Sequence, residues 1–355
     1  MQSGVAAALM AALLFGAGTP FAKLLLGHTS PWMLAALLYL GSGAGLWVMR
    51  FARGSARVAL PRHEAFWLLG AVAAGGMAGP ALLMLGLAHM PASTASLMLN
   101  AEGVLTALIA WFVFRENFDR RIALGMLAIV AGSVVLSWPN EGVGHFRLVE
   151  VWPALAVLGA CLAWAVDNNL TRKISLNDAS WIAMVKGLVA GTTNLLLALT
   201  LDANTTFPAW PVVLAAGVLG FASYGASLTL FVVGLRHLGA ARTGAYFSIA
   251  PFFGALLAVG LLAEPITARW MVAGALMAVG VALHLMERHA HRHDHALLDH
   301  SHPHQHGSGD VHHMHDHDLG EQELSSGDHT HRHRHLPGAH SHPHYPDAHH
   351  QHFHE

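Results

Sequence analysis

Ten apolar runs of about 20 residues each, separated by short polar links, limit the folds open to this 355-residue chain. A helix of that length matches the roughly 30 Å hydrocarbon core of a bilayer. The pattern therefore predicts an all-α integral membrane protein with ten transmembrane helices. The runs lie near residues 4–26, 32–50, 65–88, 92–114, 121–138, 151–171, 179–200, 211–236, 240–262 and 266–286.

The composition favours the same class of protein. Charged residues make up 11% of the chain, whereas a soluble domain carries about 25%. The single cysteine, Cys161, excludes an intrachain disulfide and a cysteine-based zinc site. The N-terminus lacks a basic n-region and is interpreted as the first membrane helix, with a cleaved signal peptide as the alternative. An enzyme is not expected, because the sequence has no P-loop, nucleophile elbow or HExxH motif.

The basic residues predict the orientation. If ten helices are present, one side of the membrane carries Arg50, Arg53, Arg57, Arg62, Arg115, Arg120, Arg121, Arg172, Lys173, Arg236, Arg242, Arg288 and Arg292. The other side carries Arg147, Arg269 and Lys23. Because positive residues mark the cytoplasmic side, both termini are predicted to be cytoplasmic, in a bacterial inner membrane.

One apolar run is echoed later in the chain. Residues 94–116 read TASLMLNAEGVLTALIAWFVFRE, and residues 243–264 read TGAYFSIAPFFGALLAVGLLAE. Both runs end in Glu, but fourteen residues before that end the first has Glu102 and the second has Ala250. A duplicated membrane helix with an internal acid in one copy only is the most informative feature of the sequence.

Other matches extend the duplication to the two halves of the chain. Gly132 and Gly280 are 148 residues apart, and residues 15–23 and 164–172 are apolar stretches that each end in a base, 149 residues apart. Five helices per half is an odd number, so the copies would face opposite ways, as in many secondary transporters. The predicted organisation begins with a five-helix repeat at residues 1–138 and a linker at 139–150. A second five-helix repeat follows at residues 151–288, and a disordered His-rich tail at residues 289–355.

The segments LNAEGVLTALIAWFVFREN and IAPFFGALLAVGLLAEPIT, set in two five-helix repeats, resemble the EamA-type transporters of the drug/metabolite transporter superfamily. The resemblance covers roughly residues 4–286. It implies a ten-helix fold and the movement of small metabolites or amino acids, often outward. Family members often carry an acid–Pro pair in the fourth helix. Here Gly103 follows Glu102, so the proline that would break that helix is missing, while the ninth helix keeps Pro251.

Glu102 is the first candidate for transport chemistry, because a charge inside an apolar run is costly. Removal from water favours the protonated carboxyl, so Glu102 could bind and release a proton near neutral pH and couple transport to the proton gradient. Thr106 lies one turn further on the same face, whereas Asn100 lies about 200° around a regular helix. The alternative is a structural acid bonded to a neighbouring helix.

A second candidate cluster lies in the sixth run. Trp164, Asp167 and Asn168 are spaced to share one face of a helix. An indole, a carboxylate and an amide together could hold an amine-bearing solute. The alternative, which we favour for Asp167, is a position near the cytoplasmic end and an ion pair with Arg172 or Lys173.

Three further residues are candidates for the substrate pathway. Lys186 could neutralise Glu102 or Asp167 or bind a substrate carboxylate, but snorkelling to the cytoplasmic interface is the favoured interpretation. Tyr224 and Tyr246 could line the pathway. The alternative for both tyrosines is ordinary packing between membrane helices.

The tail holds 23 of the 29 histidines, with Asp residues interleaved. Its few apolar side chains predict disorder. Neutral imidazole suits Zn²⁺, Ni²⁺, Cu²⁺ and Co²⁺, so the tail is expected to bind a divalent transition metal, and no cofactor is required. The alternatives are a pH-responsive polyampholyte and a low-complexity end without a function. The candidate metal ligands are His300, His302, His304, His306, His312, His313, His315, His317, His340, His342 and His344.

Two functions follow. The first is a secondary transporter that exports a small organic metabolite, amino acid or drug-like solute. The second is a Ni²⁺, Co²⁺ or Zn²⁺ exporter, or a metal-responsive membrane protein that uses the tail. The membrane runs hold no acid/His pair four residues apart, and a metal pathway usually needs such ligands, so the organic solute is favoured. The expected partners are the lipid bilayer and the solute, without nucleic acid; the sequence does not determine an oligomeric state.

Overall fold

The computed structural model divides the chain into two units, Met1–Glu287 and Arg288–Glu355. Their described residues form helices in the first unit and short strands in the second. The residues that the structure describes are 2–55, 58, 60–114, 120–138, 148–174, 178–201, 207–231, 233–234, 246–285, 290–295, 298–304, 329–335 and 338–343.

The helices of the first unit follow the predicted apolar runs. Within the described residues they are α1 (Gln2–Leu25), α2 (Pro31–Ala52), α3 (Arg62–Ala88), α4 (Ala92–Met98 and Ala101–Phe114), α5 (Arg120–Ser137), α6 (Leu148–Arg172), α7 (Ala179–Leu201), α8 (Trp210–Phe231), α9 (Ala250–Leu262) and α10 (Ala268–Leu285). Several have a proline in their first turn, as at Pro31 of α2 and Pro211 of α8, because the first turn of a helix leaves its N–H groups unbonded.

Seven of these helices, α1–α4 and α6–α8, are long and apolar enough to cross a membrane within the described residues, and α5, α9 and α10 are shorter apolar helices. Large apolar side chains cover the outer surface. Phe51, Phe66 and Phe112, for example, are 81%, 77% and 69% exposed. An apolar surface of this extent suits lipid rather than water. These helices and this apolar surface confirm the prediction of a multi-pass helical membrane protein.

Two helices contain a π-helical segment, Val72–Ala78 in α3 and Phe221–Ala226 in α8. The segments begin 149 residues apart. In a π-helix the backbone hydrogen bonds shift from the i−4 to the i−5 carbonyl, and such turns are frequent at functional sites. In α3 the carbonyls of Gly75 and Gly76 accept hydrogen bonds from side chains of other helices.

Helix α4 is interrupted at Leu99 and Asn100 although it has no proline there. The Asn100 side chain donates to the carbonyl oxygen of Leu97 at 2.9 Å, and this local bond competes with regular helix. The interruption precedes Glu102, which therefore lies in the first turn of the second half of α4. Helix α4 is therefore interrupted even though Gly103 stands where family members often have a proline. Helix α9 starts after a turn at Ser248 and Ile249, 149 residues further on.

Glycines allow the helices to approach closely. In the crossing of α2 and α7, a Cβ atom on Gly187 would lie 2.6 Å from the backbone nitrogen of Gly43. In the crossing of α5 and α10, a Cβ atom on Gly280 would lie 2.6 Å from the carbonyl oxygen of Gly125. Small residues commonly serve this purpose in membrane proteins.

The turn between α3 and α4 is held by two charged side chains from other helices. Lys23 of α1 donates to the carbonyl oxygens of Leu87 and Met90 at 2.6 and 2.9 Å. Glu264 accepts hydrogen bonds from the backbone nitrogens of Ala92 and Ser93 at 2.7 and 2.8 Å. A carboxylate at a helix N-terminus is favourable because the first N–H groups have no partner in the helix.

A second polar link joins the end of α2 to the start of α7. Arg50 donates to the Asp178 carboxylate at 2.6 Å and to the Ser180 hydroxyl at 2.5 Å. Asp178 also accepts a hydrogen bond from the backbone nitrogen of Ser180 at 2.8 Å, so it caps α7.

The second unit contains four strands, β1 (Ala290–His295), β2 (Leu298–His304), β3 (His329–His335) and β4 (Gly338–Pro343). Strands β1 and β4 form one antiparallel sheet, and β2 and β3 form another. These paired residues lie within the tail for which the sequence predicts disorder. Strand pairing satisfies backbone groups without an apolar core, and the alternating His pattern has the two-residue period of a strand.

The link between Arg50 and Asp178 predicts a pH-dependent loss of stability. Burial alone would raise the pKa of the Asp178 carboxyl, but hydrogen bonds from Ser180 and Arg50 hold this pKa below its ordinary 3.8. The ionised carboxylate therefore stabilises the fold above pH 3.8, and this contribution is lost as the pH falls through the lowered value. Since the Asp178 side chain is 39% exposed, we expect Asp178→Asn to cost about 1 kcal/mol near neutral pH.

Thermal unfolding of both proteins in detergent, followed from neutral to acidic pH, checks this prediction. The difference in Tm between the parent and Asp178→Asn should narrow as the pH falls below 3.8 and close once the pH is below the lowered pKa of Asp178. A difference that persists at lower pH would mean that the charge of Asp178 is not what stabilises the link.

Candidate functional site

Glu102 of α4 contacts the polar side chains of α6. The Asn168 amide donates to Oε1 of Glu102 at 2.8 Å and lies 3.4 Å from the Thr106 hydroxyl. Asn169 donates to the carbonyl oxygen of Thr106 at 3.2 Å. The structure therefore brings three of the candidate residues together, namely Glu102, Thr106 and Asn168.

Asp167 forms an ion pair with Lys186, which is one of the two pairings that the sequence offers for this lysine. The Lys186 ammonium of α7 donates to the two Asp167 carboxylate oxygens at 2.5 and 2.6 Å. The side chains of Asp167 and Lys186 are only 8% and 12% exposed, and Thr171 donates a third hydrogen bond to the carboxylate at 2.8 Å. The interpretation of Lys186 as an interfacial, snorkelling residue is wrong, because the pair lies in the helix bundle.

This ion pair leaves Glu102 in a distinct electrostatic position. Within the part of the chain that the structure describes, Glu102 forms no ion pair, and its hydrogen-bond donor is the neutral amide of Asn168. Asp167 and Lys186 act on it electrostatically with opposite signs. Gly103, the next residue along α4, is exposed, and a Cβ atom there would have no neighbour within 4 Å. Asn168 is also exposed.

The π-helical segment of α3 forms one wall beside this cluster. The carbonyl oxygen of Gly75 accepts two hydrogen bonds, from the Trp164 indole and from the Tyr39 hydroxyl, each at 2.9 Å. The Asn194 amide donates to the neighbouring Gly76 carbonyl at 3.1 Å. Gly75 must lack a side chain, because a Cβ atom there would overlap the Asp167 carboxylate.

Five aromatic side chains from different helices lie together and are called the aromatic cluster: Phe15, Tyr39, Trp164, Tyr224 and Phe247. The ring centroid of Phe15 is 6.3 Å from that of Trp164, 6.0 Å from that of Tyr224 and 5.2 Å from that of Phe247. The rings of Tyr39 and Tyr224 are 5.3 Å apart.

Sequence reasoning missed Phe15, Tyr39 and Asn169 in this region. The first two are ordinary aromatic residues in apolar runs, and the backbone segment that orients Tyr39 has no sequence signature that we recognise. Asn169 stands next to Asn168 in the sequence, but the sequence does not show that it donates to the carbonyl oxygen of Thr106 on α4.

The remaining candidates lie elsewhere. The carbonyl oxygen of Tyr246 accepts a hydrogen bond from Ile249 in the turn before α9. Among the tail histidines, His300, His302 and His304 lie in β2, and His340 and His342 lie in β4. Outside the described residues are His306, His312, His313, His315, His317 and His344.

The comparisons with known proteins agree with this architecture. An uncharacterized transporter of Methanothermobacter thermautotrophicus is 28% identical over 291 residues, which are 78% of this chain and 84% of that protein. A probable amino-acid metabolite efflux pump of Salmonella typhimurium is 24% identical over 213 residues, which are 55% of this chain and 68% of the pump.

A solved crystal structure has the same fold. It superposes with a TM-score of 0.61 at 22% sequence identity and covers 80% of this chain and 96% of its own. The model of the EamA-like transporter family matches residues 2–138 and again residues 151–286. Since these two matches take in most of its length, the chain belongs to the EamA-like transporter family.

Proposed function

We propose that this chain is a proton-coupled secondary transporter that exports a small organic solute, such as a metabolite, an amino acid or a drug-like compound, from the cytoplasm. Family membership supports transport rather than enzymatic catalysis. The relative named as a probable amino-acid metabolite efflux pump supports the outward direction and the solute class.

The observation that carries the proposal is the environment of Glu102. Its carboxylate belongs to a membrane helix, and its hydrogen bond comes from the exposed, neutral amide of Asn168 rather than from a cation. A bound cation would hold the carboxylate ionised, whereas the Asn168 amide has both donors and an acceptor and serves the ionised and the protonated acid equally. Glu102 is therefore suited to gain and lose a proton during the transport cycle.

The position of Glu102 beside the interruption of α4 supports the same role. The second half of this helix begins at Ala101, so a change of its direction relative to the first half would move Glu102 with it. Broken helices line the substrate and ion sites of many secondary transporters. Protonation of Glu102 removes one charge at this point and so favours a different packing of the two halves.

The substitution Glu102→Gln tests the coupling. A comparison of metabolites released by cells with and without the protein first identifies the solute. In proteoliposomes we expect Glu102→Gln to abolish the response of solute transport to a proton gradient, because the amide does not titrate, while exchange of solute without a gradient continues.

Glu64→Gln is the matched control, since it removes one acid at the start of α3, outside the membrane, and should leave the gradient response intact. Unchanged gradient-driven transport in Glu102→Gln would exclude Glu102 from the mechanism. Absence of any solute difference between the cells would count against the transport function itself.

We also propose that all ten helices span the membrane as two inverted repeats, with both termini in the cytoplasm of a bacterium. The 149-residue separation of the two π-helical segments supports the repeat, as does the equal separation of the turns at Leu99 and Ser248. The distribution of basic residues supports the orientation.

This topology is testable because the chain has a single cysteine, Cys161, which is buried. In a Cys161→Ala background, we expect Ser55→Cys between α2 and α3 to react with a membrane-impermeant maleimide only from the cytoplasmic side. His28→Cys between α1 and α2 should react only from the outside. Labelling of both positions from the same side would contradict the topology.

A second proposed function, the binding of divalent transition metal by the tail, rests on histidines that the strand register pairs, although the described residues contain no group of three or more His, Cys, Asp or Glu placed to hold one metal ion. His300 pairs with His333, and His302 pairs with His331. Similarly, His291 and His293 of β1 pair with His342 and His340 of β4. Residues paired across antiparallel strands lie on one face, with Cβ atoms about 5 Å apart, and imidazole suits Zn²⁺ and Ni²⁺.

Replacing His300, His302, His331 and His333 by Asn in the full chain should weaken Zn²⁺ and Ni²⁺ binding measured by calorimetry. Replacing His312, His313, His315 and His317 removes as many imidazoles and should have a smaller effect. Equal losses would mean that histidine number, rather than pairing, determines binding. Growth in graded metal after deletion of residues 289–355, compared with deletion of the whole protein, tests whether binding matters for metal tolerance.

A further inference from the structure

We infer that Glu102 and the aromatic cluster together bind the protonated amine of the transported solute. This inference rests on the transport function proposed above and specifies the chemical class of the solute. Three observations carry it: the charges that surround the site, the hydrogen bonds of the aromatic residues, and the proximity of the rings to the carboxylate.

The charges favour a cation. Asp167 and Lys186 neutralise each other at 2.5 Å, with Thr171 as an additional partner. Lys186 is therefore engaged and does not offer a free ammonium to a substrate carboxylate. Ionised Glu102, bonded to the neutral Asn168, leaves this region with one net negative charge, which attracts a cationic group and repels an anionic one.

The hydrogen bonds of Trp164 and Tyr39 use the polar edges of these side chains, so an ammonium group would be recognised by the faces of the rings. The Trp164 indole N–H and the Tyr39 hydroxyl both donate to the Gly75 carbonyl. These bonds fix the two side chains and engage their polar edges. Ring faces carry negative electrostatic potential and attract ammonium groups within about 6 Å. Both side chains are nearly buried, at 6% and 8% exposure, so the attraction is weakly screened by water.

The rings lie next to the acid. Trp164 precedes Asn168 by one helical turn on α6, and Asn168 donates to Glu102. Tyr39 shares the Gly75 carbonyl with Trp164, and the ring centroids of Tyr39 and Tyr224 are 5.3 Å apart. A single ammonium group could therefore contact the carboxylate and a ring face at once, while an attached apolar body would pack against the Phe15 ring, which contacts both Trp164 and Tyr224.

Three probes of nearly equal shape separate the charge from the apolar body: 2-phenylethylamine, 2-phenylethanol and 3-phenylpropionate. Calorimetry on the purified full chain in detergent, near neutral pH, measures their binding. We expect the amine to bind about tenfold more tightly than the alcohol. The propionate should bind more weakly than both.

Variants assign the preference to named groups. In Glu102→Gln the amine should fall to the affinity of the alcohol, whereas Glu64→Gln should retain the full preference. Trp164→Leu should weaken amine binding and Trp164→Phe should retain most of it, since phenylalanine keeps a ring face. The Trp164 pair keeps the test decisive even if Glu102→Gln fails to fold, which its elution profile and Tm would reveal.

Equal affinities of the amine and the alcohol for the parent protein would overturn the inference, as would an amine preference that survives both Glu102→Gln and Trp164→Leu. Neither result would affect the proposed function, because gradient-driven export of the metabolite found in the medium is measured separately in proteoliposomes. Conversely, tight amine binding without any solute export would count against transport and leave the binding site in place.

Discussion

The ion pair between Asp167 and Lys186 determines what the other polar groups of the membrane interior do. Two charges in a low-dielectric region are tolerated only when they meet closely and share further hydrogen bonds, as they do here at 2.5 Å with Thr171 beside them. Loss of one partner would leave a buried uncompensated charge, at a cost of about 3–5 kcal/mol. Because the two charges of this pair neutralise each other, Glu102 supplies the net charge of the proposed solute site.

The same pair depends on an irregularity of α3. The Asp167 carboxylate occupies the space where a side chain at Gly75 would be. The wider turns of the π-helical segment direct the Gly75 carbonyl towards Trp164 and Tyr39. One glycine in one distorted segment therefore seats the carboxylate of the ion pair and orients two rings of the aromatic cluster. A regular α-helix would use that carbonyl within its own backbone.

The sequence predicts the helices well because a bilayer-length apolar run has few alternative structures. It also identifies Glu102, since an acid within such a run is exceptional. It offers both Glu102 and Asp167 as partners of Lys186 but does not choose Asp167, because the relative rotation of α6 and α7 comes from packing against α3 and α2. Nor does it reveal the interruption of α4, for which the hydrogen bond of the Asn100 side chain replaces the expected proline. The sequence does not reveal the strands of the tail either. Its low apolar content predicts disorder, and the pairing of distant segments such as β2 and β3 is non-local.

The unequal halves of the chain have a physical explanation in the contact of α1 with α9. Ala250, the counterpart of Glu102, is 0% exposed, and its carbonyl lies against Gly16, where even one added methyl group would clash. A carboxylate at this position would be desolvated without space for a partner, which is among the costliest arrangements in a membrane interior. In α4 the corresponding acid instead accepts a hydrogen bond from Asn168 of α6. Close packing in one half therefore confines the titratable acid to the other, and a protein built from two similar halves acquires a single charged site.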